Sequence, residues 1–362
     1  MPSKNHKEVE MLVDYDSLVN EISRVLSKCR LAAHQARVKA LSPLLQGMLL
    51  LCEASLSGMG RGAAWLDEEK TFGGQLKRAF RFLNNPHFDP WEVGKALFDH
   101  LTEGLKEVLI AVDWTHVGDF MILEASLVVD GRAIPFFSLS VPRSEMKGRQ
   151  RTLELSMDYA LAAMRRPGPT LYPLVDRGFA AMEYLGPSEL YPWMRRVTRL
   201  KATMILHWDN VSAPLQEWPL EEGEVVEIPV ARLGRRKQVL WGAVLACVGA
   251  TCYLACHPDD VGEVLNFYQK RVWLEEQNRD VKTAFKGSVM RFLRAIRFER
   301  MWGLLGLALS IAYSNSQKES HQQARLSRRY QDGRKDLSWL SLSRYVQQLV
   351  PCRAVIAPLI AQ

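Results

Sequence analysis

The chain has 362 residues, 48% of them hydrophobic and 24% charged, an ordinary folded-protein composition that excludes a disordered chain, a collagen-like repeat and a disulfide scaffold. At roughly 150 residues per domain, this length predicts two or three domains. Lys and Arg number 47 against 40 Asp and Glu, and the resulting +7 is compatible with a polyanionic partner without requiring one.

Residues 15 to 106 are predicted to be helical, because Leu18, Ile22, Val25 and Leu26, and then Leu41, Leu44, Leu45, Met48 and Leu49, recur at helical spacing. Within this region Gly73 to Asn85 puts Lys77, Arg78 and Arg81 on one helical face. That face is either a solvated side of a small bundle or a phosphate-contacting surface, and the stretch alone does not choose. After residue 106 the period changes. VLIAVDWTHV, MILEASLVVD and AIPFFSLSV read as three strands with turn signals at Gly118-Asp119 and Asp130-Gly131, an antiparallel meander. A helix over about 150 to 165 and a fourth strand, TLYPLVDRGF, follow. Three strands, a helix and a strand is the order in which a ribonuclease H-like core is built. The chain is β-rich again from about 194 to 257, in RRVTRLKATMIL, EVVEIPVARL, KQVLWGAVLACV and ATCYLACH. Helical patterning then runs from Asp260 to about 285. The longest apolar run, MWGLLGLALSIAY from Met301 to Tyr313, would cover about 20 Å as a helix, short of a ~30 Å hydrocarbon core, so a buried helix is expected and no membrane partner.

Six cysteines (Cys29, Cys52, Cys247, Cys252, Cys256 and Cys352) are too scattered for a disulfide framework. Cys252, Cys256 and His257 lack a second ligand pair at zinc spacing and are expected as small apolar residues of a strand. The first fifteen residues are charged and lack an apolar segment, so no secretory signal and a reducing, cytoplasmic setting are expected.

Two aspartates stand where apolar strands end, Asp113 in Ala-Val-Asp-Trp-Thr and Asp176 in Leu-Val-Asp-Arg-Gly-Phe. A carboxylate there is costly to bury without a partner, and a divalent cation is one such partner, although a strand-end cap explains either residue singly. A third acid is needed for a metal site. Tyr268, Arg271, Glu275 and Lys282 form the pattern Y-x2-R-x3-E-x6-K, and at about 100° per residue all four fall within an arc of about 60° on a helical wheel. Glu276 and Asp280 fall outside that arc, which selects Glu275. An Arg271–Glu275 surface pair would account for neither the tyrosine nor the distant lysine.

These residues resemble a DDE transposase of the insertion-sequence-four family, related to the transposases of bacterial composite transposons ten and five. The Y-x2-R-x3-E-x6-K helix is that family's signature, and FYQKRVWLEEQNRDVK, V-D-W-T at Asp113, D-R-G-F at Asp176 and the upstream RAFRFLNNPHFDPW all match family text. The resemblance covers roughly residues 30 to 345. It implies an α/β fold with a helical N-terminal DNA-binding region (1–106), a ribonuclease H-like core in two parts (107–200 and 258–300), a β-rich insertion (201–257) and a helical C-terminal region (301–362).

The same resemblance implies that Asp113, Asp176 and Glu275 hold two Mg²⁺ ions, with Mn²⁺ as a substitute, across a phosphodiester undergoing in-line displacement. Tyr268, Arg271 and Lys282 would contact phosphates near a transposon end. The implied activity is cut-and-paste transposition: nicking to release a 3′-OH, hairpin formation and opening, then joining to target DNA. Partners would be double-stranded DNA, as terminal inverted repeats and target, and a second copy of the chain in a synaptic complex, in a bacterial cytoplasm near the nucleoid. Related hairpin-forming enzymes stabilise a flipped base with an aromatic residue on the insertion. No tryptophan aligns there in this chain, and Trp241 and Tyr253 are the available candidates, each with core packing as the alternative.

The stretch 286 to 336 carries eleven Lys or Arg against four acidic residues, a surplus equal to the whole net charge. Arg291, Arg294 and Arg297 recur every three residues there, as along one side of a helix, which favours a DNA-binding surface. Two other functions fit the same residues: a related metal-dependent nuclease that cleaves without joining, and a catalytically inactive DNA-binding repressor. The presence of all three acidic residues argues against the repressor.

Overall fold

A computed structural model describes residues 15–316 except 68, 130, 165–166, 181–190, 236–238, 284, 287–289, 291 and 293, and except the side chains of 15–18 and 315–316. The chain divides into two compact units, one drawn from Met1–Leu101, Ile134–Phe137 and Arg279–Gln362, the other from Thr102–Ala133 and Ser138–Asn278.

The first unit is helical. It holds α1 (Tyr15–Val25), α2 (Gln35–Leu51), α3 (Leu56–Trp65), α4 (Phe72–Leu83) and α5 (Pro90–Leu101), as the apolar spacing predicts, with α9 (Ala295–Ser316) from the end of the described chain. Ser55 and Thr71 cap α3 and α4 by accepting from the amides of Gly58 (2.9 Å) and Gly74 (3.2 Å), each satisfying an amide that the first turn leaves without a partner. Gly47 of α2 meets Gly62 of α3 so closely that a Cβ at either position would lie under 3 Å from the other helix's backbone. The apolar run read from sequence lies inside α9, where every residue from Met301 to Ala312 is buried. No single helix among the described residues is long and apolar enough to cross a membrane.

The second unit is built on a ten-stranded sheet that begins with β1 (Glu107–Val117), β2 (Phe120–Val129) and β3 (Arg132–Pro142), whose middle residues belong to the helical unit. Helix α6 (Gln150–Met164) leads to β4 (Thr170–Val175) and β5 (Val197–Arg199), and then come β6 (Ile205–Trp208), β7 (Val211–Pro214), β8 (Val225–Leu233), β9 (Val239–Val248) and β10 (Ala250–Cys256). The strand order is β3-β2-β1-β4-β5-β10-β9-β8-β6-β7. β1 pairs antiparallel with β2 and parallel with β4, β4 pairs parallel with β5, and β10 joins β5 antiparallel. The strands from β6 onward therefore extend one continuous sheet. Helices α7 (Val264–Gln269) and α8 (Val272–Thr283) complete the elements.

The structure differs from the sequence expectation in three elements. RRVTRLKATMIL is not one strand but β5 and β6, separated by a turn in which the amide of Met204 donates to the carbonyl of Lys201 (2.9 Å). β7 was not foreseen, because Val-Ser-Ala-Pro carries too little apolar alternation to stand out. The Tyr268–Lys282 segment is not one helix. The amides of Lys270, Arg271, Trp273 and Leu274 each donate three residues back, at 2.9–3.2 Å, and this tighter turn separates α7 from α8. Tertiary contacts hold the break: Leu274 is fully buried against Ala111 and Ala133, and Arg271 is bonded to Asp113 of β1.

Candidate active site

The parallel ladder between β1 and β4 runs from Glu107↔Thr170 to Val112↔Val175. Asp113 and Asp176 are the next residues on the two strands, so in-register pairing brings together two acids far apart in sequence. Asp113 continues along β1 opposite Glu124, while Asp176 leaves the sheet and opens a single 3₁₀ turn at Arg177–Phe179. Strand alternation puts Ala111 and Asp113 on the same face. Leu274 packs on Ala111 of that face, so the start of α8, with Glu275 as the next residue, lies over it.

Arg271 joins the acids. Its Nη2 donates to Asp113 Oδ2 (2.5 Å) and its Nη1 to Glu275 Oε1 (2.8 Å), while the residue itself is buried. Tyr268 donates its hydroxyl to Asp176 Oδ1 (3.3 Å). The backbone amide of Trp114 donates to the other oxygen of Asp113 (2.8 Å). Burial pushes the Asp113 carboxyl above its ordinary value. Arg271 and the Trp114 amide pull it back, and the negative charges of Asp176 and Glu275 push it further up. Burial opposes the charge of Arg271, but Asp113, then Tyr268 and Asp176, and the bond to Glu275 outweigh it and hold the guanidinium above its usual range. Burial also raises the Tyr268 phenol, so it stays protonated and acts as a donor.

Three carboxylates that sense one another are the oxygen donors a hard divalent cation takes. Among the described residues no three His, Cys, Asp or Glu side chains converge closely enough to hold an ion, and Arg271 links two of these three acids. Lys282 stands in the last turn of α8, in the stretch that belongs to the helical unit.

Sequence reasoning missed two sets of neighbours. A cleft of about 670 Å³ leads away from Asp176 and is lined by Arg177, Arg199, Lys201, Thr203, Thr251 and Tyr253. None of its three cations has an ion-pair partner among the described residues, which leaves the cleft positive. Only the pairing of β5 between β4 and β10 brings Arg199 and Lys201 there, so no local motif announces them. The second set is behind Asp113. The Trp114 indole Nε1 donates to Glu154 of α6 (3.0 Å), a fully buried carboxylate that also accepts from Gln150 (2.9 Å) and Arg151.

The remaining candidates are dispersed. Arg78 and Arg81 line a cleft of about 640 Å³ with Arg37, Asn84 and Asn85, and Lys77 is exposed on the same helix. Arg291 lies outside the described residues. Arg294 and Arg297 do not form a stripe on one helix, because α9 begins only at Ala295. Arg294 is exposed ahead of it, whereas Arg297 bonds Asn84 (2.9 Å) and covers the Phe80 ring at 5.1 Å. Trp241 and Tyr253 both belong to a buried apolar cluster, and Tyr253 also forms part of the wall of the Asp176 cleft. Cys256 is buried in β10 and Cys252 half-buried, both as free thiols.

No protein-family model matches the chain, and no curated protein matches it. Among solved structures, the chain aligns with a piggyBac transposase in a synaptic complex with hairpin DNA. The TM-score is 0.44 and the identity 9%, over 99% of this chain and 82% of that one. At that level the likeness supports no functional inference.

Proposed function

We propose that the chain is a metal-dependent DNA transposase of the insertion-sequence-four type, built on a ribonuclease H-like core. One observation carries the reading: the tyrosine and arginine of Y-x2-R-x3-E-x6-K reach the two strand-end aspartates, Tyr268 to Asp176 and Arg271 to both Asp113 and Glu275. A chance surface pattern has no reason to meet, across about 90 to 160 residues of chain, the two acids that the same family text singles out. The strand order β3-β2-β1-β4-β5, with α6 between β3 and β4, supports reading this part as a ribonuclease H-like core, and the run of strands β6 to β10 supports reading 201–257 as a β-rich insertion.

In this reading Asp113, Asp176 and Glu275 would hold Mg²⁺, which would supply Lewis acidity for phosphodiester cleavage. The chain's own residues do the rest. The Trp114 amide fixes one oxygen of Asp113, and Trp114 is itself tied to Glu154, so the carboxylate is aimed before substrate arrives. Arg271 offers two parallel donors, a geometry suited to one phosphate. The positive cleft beside Asp176 gives a phosphate backbone a path away from the reacting bond. The proposed reaction sequence is nicking to free a 3′-OH, a hairpin step, and joining to target DNA by two copies of the chain.

The test is a plasmid carrying the DNA that flanks the reading frame on both sides, incubated with purified protein, with and without Mg²⁺, and resolved on a denaturing gel. Asp113→Asn, Asp176→Asn and Glu275→Gln should each abolish nicking and joining while retaining DNA binding, because a neutral amide keeps the volume but loses the charge that binds the ion. Glu276→Gln should keep most activity. Normal nicking by all three would refute a carboxylate-metal enzyme, and nicking without joined products would favour the nuclease reading.

A further inference from the structure

We infer that Glu124, Ser126 and Gln277 are positioning residues of the proposed cleavage, a buried polar chain that fixes the rotation of α8 and so aims Glu275. The inference rests on the transposase reading above and adds residues to it. In the antiparallel ladder Glu124 stands opposite Asp113 and Ser126 opposite Ala111. Opposite residues share a face, so both lie on the face that carries Asp113 and that Leu274 covers. Glu124 and Ser126 are fully buried, and Gln277 of α8 is 2% exposed. The Ser126 Oγ donates to Glu124 Oε1 (2.5 Å) and lies 3.1 Å from the Gln277 side-chain oxygen. One hydroxyl proton cannot serve two acceptors, and the shorter contact claims it. Turning the Gln277 amide over presents its nitrogen to Ser126, and it gives a partner to an N–H group that otherwise has none among the described residues. The chain then runs one way, from Gln277 through Ser126 to Glu124, and ties α8 to β2 beside Asp113.

At about 100° per residue Leu274 and Gln277 lie about 60° apart, both toward the sheet, while Glu275 lies about 160° from Gln277 and its side chain is 61% exposed. Leu274 contributes apolar burial, which has no direction. The Gln277 bond does, and it sets how the helix is turned about its axis. Without it, a turn of about 20° carries a side-chain tip, about 5–6 Å from the axis, through about 2 Å. A misplacement of about 1 Å at reacting groups costs on the order of a hundredfold in rate. The same bond contributes little to stability. With methionine in place of Gln277, Ser126 still has Glu124 as its acceptor, and an apolar side chain of like shape suits the buried site. Rate and stability therefore separate, which a contact that only holds the fold together would not allow.

The experiment measures nicking of the flanking-DNA plasmid by the full chain over a range of DNA concentrations, and urea denaturation of the same proteins. Gln277→Met should lower kcat by about tenfold to a hundredfold, with KM within about twofold of wild type and the urea midpoint little changed. Ser126→Ala should lose the same rate, and Ser126→Thr, which restores the hydroxyl, should recover most of it. Ser126→Ala combined with Gln277→Met should be no slower than either alone, because residues that act as one unit are not additive. If the methionine variant fails to fold, the Ser126 pair decides. A kcat of Gln277→Met equal to wild type overturns the positioning role and leaves the transposase reading standing. So does a loss of kcat that tracks the urea midpoint and is not recovered by threonine at 126. Absence of nicking by the wild type overturns that reading, and this role with it.

Discussion

Replacing Glu154 with alanine should destabilise the sheet unit by about 3 kcal/mol, and the contacts explain the size. Glu154 is fully buried and its Oε1 accepts from the indole of Trp114 (3.0 Å) and from Gln150 (2.9 Å). Removing the carboxylate leaves a half-buried indole N–H without its acceptor, which costs about 1–3 kcal/mol. Losing the one buried γ-methylene adds about 0.8 kcal/mol. The Arg151 side chain is 30% exposed and can turn to water, so its charge adds little to the cost. Glu154→Gln keeps the shape and one acceptor oxygen but loses the charge facing Arg151, and should cost about half as much as the alanine change. Urea denaturation followed by tryptophan fluorescence and by far-ultraviolet circular dichroism measures both. The functional consequence is specific: Trp114 donates its amide to Asp113, so under the proposed metal-dependent reading metal affinity should fall in Glu154→Ala. An alanine variant within about 0.5 kcal/mol of wild type, the ordinary scatter of surface substitutions, would refute the burial and bonding on which the estimate stands.

Two further outcomes follow from charges on the two units. The double variant Arg199→Ala with Lys201→Ala should reduce the slope of log affinity against log salt by about two for duplex DNA in fluorescence anisotropy, because each lost phosphate contact removes about one; an unchanged slope would take the Asp176 cleft off the DNA path. In the helical unit, the bond to His100, then Arg24, holds Glu21 down to about 2 against the resistance of burial. A carboxylate lowered in the folded state adds stability above its unfolded value of about 4.3 that is lost as pH falls through the folded one, so Glu21→Gln should cost roughly 1 kcal/mol at neutral pH and progressively less in acid. Parallel melting curves of the two proteins down to pH 2 would contradict this.

The sequence made β1 to β4, α6 and the apolar α9 legible, because their periods are long and uninterrupted. The pattern Y-x2-R-x3-E-x6-K was legible for a reason that turned out to be incomplete. A continuous helical wheel selected Glu275 over Glu276, yet the helix is interrupted at Lys270–Arg271. Glu276 is half-buried and Glu275 exposed at the start of α8, and what sets Glu275 apart in the structure is the bond from Arg271, four residues earlier, rather than one unbroken face. The fork of Arg271 into Asp113, the cleft of Arg177, Arg199 and Lys201, and the Trp114–Glu154 bond could not be read in advance. Each depends on which strands pair, and a one-dimensional pattern does not encode strand neighbours. The stripe failed at Arg294 and Arg297 for a simpler reason, Arg291 lying outside the described residues: a spacing of three says nothing until the helix start is known, and Ala295 is that start.

The placement of the two aspartates shows how much of the proposed chemistry depends on one ladder. Asp113 and Asp176 lie one step beyond the last parallel pair, Val112↔Val175. Alternation along β1 is strict at this point, with Ile110 and Val112 buried on one face and Ala111 covered by Leu274 on the other. A slip of β4 by one residue would invert Leu174 and Val175, both fully buried, and would shift Asp176 by about 3.3 Å along the strand. Because both faces of β4 are buried, each of these side chains would meet packing shaped for the other, at about 1–3 kcal/mol per misfit, which exceeds what one ion pair contributes, so the core and not the site sets the register. The acids therefore meet because valines and leucines fix the strands beneath them. Their mutual repulsion is then left for Arg271, and in the proposed reaction for Mg²⁺, to neutralise.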